Sequence, residues 1–135
     1  MPEALFPWMH LVGRILFSMV FVMSGISHLT NLQMMTGYAQ SKGLPAPKAM
    51  TALSGIVIMV AGALLIVGYT RFIAAGLLFV FLLATSFMFH AFWKETDPGA
   101  KMNEMIHFLK DMALAGAALF IAFYGGHPWP MSLGG

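Results

Sequence analysis

Four runs of apolar residues, each close to twenty long, decide more about this chain than anything else in it. The first is Leu11 to Leu29, "LVGRILFSMVFVMSGISHL", broken only by Arg14 and His28. The second runs from about Met50 to Tyr69 and the third from about Phe72 to Trp93, with only Thr70 and Arg71 between them. The fourth covers roughly Met105 to Tyr124. A helix of about twenty residues spans the roughly 30 Å hydrocarbon core of a bilayer. Composition agrees: hydrophobic residues are 59% of the 135 and charged residues 9%, against about 45–50% and 25% in soluble domains. The expected fold is therefore an all-α integral membrane protein, a four-helix antiparallel bundle forming a single domain over residues 1–135. A two-residue link makes the second and third helices antiparallel neighbours. The glycines and prolines of "GGHPWPMSLGG" end the fourth.

The flank "MPEALFPWMH" carries no lysine or arginine and no small-residue cleavage site follows the first run, so it reads as a spanning helix and not a signal peptide. Lys42, Lys48, Lys94, Lys101 and Lys110 lie on the side of the first and third connections, against Arg14 and Arg71 on the side of the termini. The excess of basic residues predicts cytoplasmic connections and both termini outside. Between the first two spans, "TNLQMMTGYAQSKGLPAPKAM" reads as a short interfacial helix, capped at Thr30 or Asn31, or as a solvated loop with an apolar edge. The stretch "KETDPGAKMN" reads as a loop with a turn at Asp97-Pro98-Gly99.

No cysteine is present, which excludes disulfides, thiolate metal sites and thiol catalysis by this chain. No phosphate-binding glycine loop, zinc helix or serine nucleophile motif occurs. With a net charge of +2, scattered over both sides, the chain lacks the footprint of a nucleic-acid binder. The 13 methionines read as core filler and not as a copper site, and no metal site is expected. Small residues such as Gly55, Gly62, Ala113 and Ala117 suit close helix packing.

Ionisable groups at membrane depth usually face a bundle interior or a wet cavity. Arg14, Ser18, Phe21, Gly25 and His28 recur at the 4, 3, 4, 3 spacing of one helix face. Ser86, His90 and Trp93 do the same on the third span, and Glu104, His107 and Asp111 on the fourth. Topology puts His28, His90, His107, Lys110 and Asp111 at one membrane level, with Arg14 about 21 Å away. Lys110 reads as a snorkelling residue and Arg14 as an interfacial anchor, with Trp8, Trp93 and Trp129 as aromatic-belt residues. Adjacent helical positions diverge by about 100°, so Asp111 needs a donor other than Lys110, and His28 and His90 are the nearest. His28 and His90 as paired ligands of haem b are disfavoured, since nothing places them on opposed faces.

The segments "GRILFSMVFVMSGISHL", "YAQSKGLPAP", "FHAFW" and "FLKDMALAGAALF", in that order, resemble the DoxX family of small four-helix membrane proteins. Arg14, Ser24-Gly25, Gly43-Leu44-Pro45, His90 and Lys110 match its pattern. His28 stands where the family usually has lysine, and Asp111 where it usually has asparagine. The resemblance implies an inner-membrane component of an oxidoreductase, of the thiosulfate:quinone type or tied to thiol and oxidative-stress chemistry. On that reading the chain is a quinone-linked subunit with Asp111, His28 and His90 in proton transfer. His28, His90, Trp93, Lys110 and Arg14 are then the residues that meet a cofactor, a quinone being the candidate. Two alternatives are a non-catalytic membrane scaffold, with its loops docking other subunits, and a small transporter or proton pathway. The expected surroundings are the lipid bilayer, further copies of the chain or other oxidoreductase subunits, and no nucleic acid.

Overall fold

The computed structural model describes residues 2–134. Five α-helices follow in order: α1 Phe6–Thr30, α2 Leu32–Ser41, α3 Pro47–Val67, α4 Arg71–Phe89 and α5 Pro98–Tyr124. There is no strand among the described residues. Helices α1, α3, α4 and α5 are long and apolar enough to cross a membrane. In antiparallel array, α1 packs chiefly on α3, α4 on α5, and α3 on α4. The short α2 leans on α3 and touches α1.

Helix limits follow capping chemistry. Pro47 and Pro98 sit in the first turns of α3 and α5, where the missing N–H costs nothing and the fixed φ suits the helix. Asp97 caps α5 by accepting from Ala100 N at 2.9 Å. The "DPG" signal therefore starts a helix where the sequence suggested a turn, and α5 begins seven residues ahead of Met105. Lys110 consequently lies about 18 Å into its helix, not one or two turns in. At the other boundary α4 stops at Phe89, with His90 as C-cap, and Phe92–Lys94 form a separate 3-10 turn. Trp93 is thus outside the helix that it was expected to close. The link after α3 turns through Gly68 at φ 73°, a left-handed conformation that glycine adopts without a Cβ penalty.

The core is narrow, built from Phe21, Ile58, Leu65, Leu78, Leu82 and small residues including Ala61, Ala74, Ala75 and Ala115. All four buried residues of α1 are Arg14, Ser18, Phe21 and Gly25, the face marked by their spacing. Against them α3 presents Thr51, Gly55, Ile58 and Gly62. A Cβ on Gly25 would lie 2.5 Å from the Gly55 carbonyl oxygen, and one on Gly55 would lie 2.6 Å from His28 Cβ. Two backbones thus meet directly, as small residues permit in lipid, where apolar burial does not drive helices together. On α5 the buried stripe is Asp111, Ala115 and Ala118, while Ala113 is exposed; the face is turned to put the carboxylate inside. Bulky residues such as Leu16, Phe72, Val80, Phe120 and Phe123 point outward, as hydrocarbon contact allows. Met19, Met23, Met34, Met88 and Met102 are exposed as well. With Met9, Met50 and Met131 exposed too, most of the described methionines face outward instead of filling the core.

Candidate functional site

Ring by ring, the polar residues of the third and fourth spans converge at the end of the bundle where α4 finishes and α5 begins. His90 Nδ1 lies 2.7 Å from Glu104 Oε2. Its Nε2 faces Asp111 Oδ2 at 3.8 Å, and its ring stacks on His107 at 5.1 Å between centroids. Ser86 Oγ donates to the same Asp111 oxygen at 3.3 Å. One imidazole thus stands between two carboxylates. It is held there because His90, at the C-cap, follows Ser86 by four residues and Glu104 precedes Asp111 by two helical turns. The side chains of Glu104 and Asp111 are only 16% and 8% exposed, so the Glu104–His90 hydrogen bond and the longer Asp111 contact act with little competing water.

Lys110 also contributes. Its Nζ approaches Asp111 Oδ1 to 3.8 Å although half of its side chain is exposed. The expectation that sequence neighbours on a helix cannot meet is thereby corrected: a four-carbon stem curls back over a short carboxylate. His28, the other expected donor to Asp111, goes elsewhere. Its Nδ1 lies 3.3 Å from Ser54 Oγ. Ser54 Oγ also lies 3.0 Å from Thr51 O; with the hydroxyl hydrogen on that carbonyl, a neutral His28 donates from Nδ1 and keeps Nε2 as an acceptor.

His28 and His90 are joined by a cavity of about 580 Å³. Its walls come from α1 through His28, from α2 through Met35, Tyr38 and Ala39, from α3 through Thr51 and Ser54, and from α4 through Phe81, Thr85 and Phe89. Leu44 of the Gly43-Leu44-Pro45 loop closes it, and exposed Met34, Met50 and Met88 stand at its rim. The walls are apolar, with a few convergent polar groups, the usual make-up of a small-molecule site. Tyr38 stacks on Phe89 at 5.5 Å. Burial first, and then the charges of Glu104 and Glu95, push the Tyr38 phenol above its ordinary pKa, so it stays a hydrogen-bond donor.

The cavity involves α2 and α3 in place of the fourth span, α5, which lies behind His90. Trp93 is outside it, in an aromatic cluster with Phe87, Phe92 and Phe108. Lys110 is outside too. Sequence reasoning missed Tyr38, Thr51 and Ser54. The only signal near Tyr38 was the short interfacial helix suggested between the first two spans, and nothing in the sequence marked Thr51 and Ser54 on α3. The two ring nitrogens of His90 are directed at carboxylates, which leaves none for a haem iron. Among the described residues, no cluster of histidine and carboxylate side chains has the arrangement of a metal site.

Arg14 sits at the opposite end and is 6% exposed. Its Nε donates to Ile66 O at 3.1 Å, Nη1 to Pro130 O at 2.7 Å and Nη2 to Met131 O at 2.7 Å. His10 Nδ1 is 3.0 Å from Nη1, and the guanidinium lies over the Trp129 ring. Expected as an interfacial anchor, Arg14 instead fastens the segment after α5 across the bundle end. Trp129, expected in an aromatic belt, is folded back with it. Both corrections have one cause: free carbonyl oxygens in the last turn of α3 and in the segment after α5 need donors, and a buried guanidinium supplies several.

The E. coli K12 inner membrane protein YphA is 27% identical over 119 residues, covering 88% of this chain and 84% of its own length. No solved structure matches the chain. The DoxX family profile matches residues 9–91, which include Arg14, Ser24-Gly25, the Gly43-Leu44-Pro45 loop and His90 but stop short of Lys110 and Asp111. With four apolar spanning helices and that match over more than half its length, the chain is a multi-pass membrane protein that belongs to the DoxX family.

Proposed function

We propose that the chain is the integral-membrane subunit of a quinone-linked oxidoreductase system, and that the cavity between His28 and His90 receives the quinone head group. The observation that carries this reading is that His90 belongs both to the cavity wall and to the Glu104–Asp111 carboxylate pair. A membrane-soluble ring of that class enters from lipid through the methionine rim, and the apolar walls suit it. Bound there, a quinone supplies two-electron, two-proton redox chemistry at its ring oxygens. The protein's own groups handle position and protons. His28 Nε2 accepts and the Tyr38 phenol donates, so the two can hold a ring oxygen in its hydroxyl or carbonyl form. His90, at the edge of the cavity, relays a proton between Asp111 and Glu104, one carboxylate at each ring nitrogen. The electron donor is a partner subunit. The polar bundle end carrying Lys42, Lys94 and Lys101 faces the cytoplasm, and α2 lies along the interface.

Titrating decyl-ubiquinone into the purified protein tests this. Wild type should bind it, His28→Ala should bind it about tenfold more weakly, the cost of about one hydrogen bond, and Glu104→Gln should bind it with an altered pH dependence. Asp111→Asn should leave insertion intact and stop proton-coupled turnover with the partner. No binding to wild type, together with a stable soluble partner that co-purifies, would replace this reading with that of a scaffold subunit.

A further inference from the structure

The end of the bundle away from the cavity holds two buried cations, Arg14 and Arg71, and no counter-ion among the described residues. Arg71 opens α4 and is 7% exposed. Its Nε and Nη1 are sealed from solvent with no hydrogen-bond partner. Arg14, equally buried, spends its donors on neutral carbonyl oxygens. Among the described residues no carboxylate pairs with either guanidinium. Both lie over one indole, Arg71 at 4.9 Å and Arg14 at 5.7 Å from the Trp129 ring centroid. No side chain caps the first turn of the 19-residue α4, so its backbone N–H groups add the positive end of a helix dipole to the same spot. Such a concentration of one sign, withdrawn from water, is costly unless an anion completes it.

We infer that Arg71, with the open N-terminus of α4 and the field of Arg14, forms a binding site for a phosphate-type anion. Among the described residues nothing accepts from the buried Arg71 Nε and Nη1, and the planar guanidinium matches a phosphate. The backbone after α5 closes the far side, since a Cβ on Gly125 would come within 3.4 Å of Phe72 N. Beside the site Phe72, Ile73 and Phe123 are 63–72% exposed and turned to hydrocarbon, which sets Arg71 where apolar contact gives way to headgroups. The anion is either the phosphate of a lipid headgroup or free inorganic phosphate. The site lies apart from the cavity and does not depend on what the cavity binds.

The test uses the full chain, stripped of lipid in a non-ionic detergent, with phosphatidylglycerol, phosphatidylcholine or inorganic phosphate added. Phosphatidylglycerol should raise the unfolding midpoint of wild type by roughly 5 °C and remain bound in native mass spectrometry, with phosphatidylcholine giving less of both. Arg71→Met should retain phosphatidylglycerol at least tenfold less and gain no midpoint, while Arg71→Lys should keep part of each effect. Without added anion, Arg71→Met should unfold no earlier than wild type, because a buried charge with no counter-ion among the described residues has been removed. A rise with phosphatidylglycerol alone assigns the site to a lipid headgroup, and an equal rise with inorganic phosphate assigns it to the free ion. Unchanged lipid retention in Arg71→Met would overturn the inference. So would a wild-type midpoint that no anion moves, whether or not the variant folds.

Discussion

Replacing Gly25 by alanine adds one methyl group at the tightest point of the bundle. That methyl would stand 2.5 Å from the Gly55 carbonyl oxygen and 2.6 Å from Met59 Cβ. Carbon atoms pack at about 3.5–4.0 Å, so α1 and α3 must part by roughly 1 Å. Neither obstacle is the tip of a flexible side chain, so neither can swing aside. Overpacking of this kind costs about 1–3 kcal/mol, or roughly a five- to 150-fold fall in the folding equilibrium constant. His28 is one turn along, with Gly55 directly beneath its Cβ, so the same separation weakens its contact with Ser54. Gly13 on the same helix has nothing within 4 Å of an added Cβ, and Gly13→Ala should be neutral or slightly stabilising. Thermal unfolding of both variants in detergent, followed by circular dichroism, gives the comparison. Equal midpoints for Gly25→Ala and Gly13→Ala would refute the direct backbone contact between α1 and α3.

Three other outcomes are expected. Arg14→Met removes charged donors from three backbone carbonyls, costs about 3 kcal/mol, and should make the segment after Tyr124 cleavable by limited proteolysis while α1 stays helical. Asp97→Ala removes the cap of α5 and about 1 kcal/mol, with faster amide exchange over residues 99–101 as its signature. Because the chain has no cysteine, a single Lys101→Cys or Gly126→Cys reports sidedness cleanly; the charge bias predicts that an impermeant thiol reagent added to intact cells labels position 126 and spares 101.

The spanning helices, their order and the buried face of α1 were legible because lipid exposure makes long apolar runs, and a polar stripe within one must turn inward. Asp111 could be placed inside on the same ground. The cavity could not. It depends on how α2 docks, and the segment that forms α2 reads in the sequence equally as an interfacial helix or a solvated loop. Arg14 was misjudged because its acceptors are carbonyl oxygens at residues 66, 130 and 131, and backbone atoms leave no mark in a sequence pattern. The start of α5 was missed because Asp-Pro-Gly serves equally as a turn and as a helix start, and only the Asp97 hydrogen bond distinguishes them. The pairing of Lys110 with Asp111 was excluded by helical geometry at the Cβ level, which ignores how far a lysine stem reaches.

The central claim is that a quinone-class molecule occupies the space between His28 and His90. Mass spectrometry of small molecules carried by the protein out of its native membrane in mild detergent tests it most directly, beside an Ala84→Trp variant that blocks the cavity wall. The account predicts a quinone near one per chain in wild type and a several-fold loss in the variant. Phospholipid alone in both, with no quinone above the level of the surrounding membrane, would contradict it.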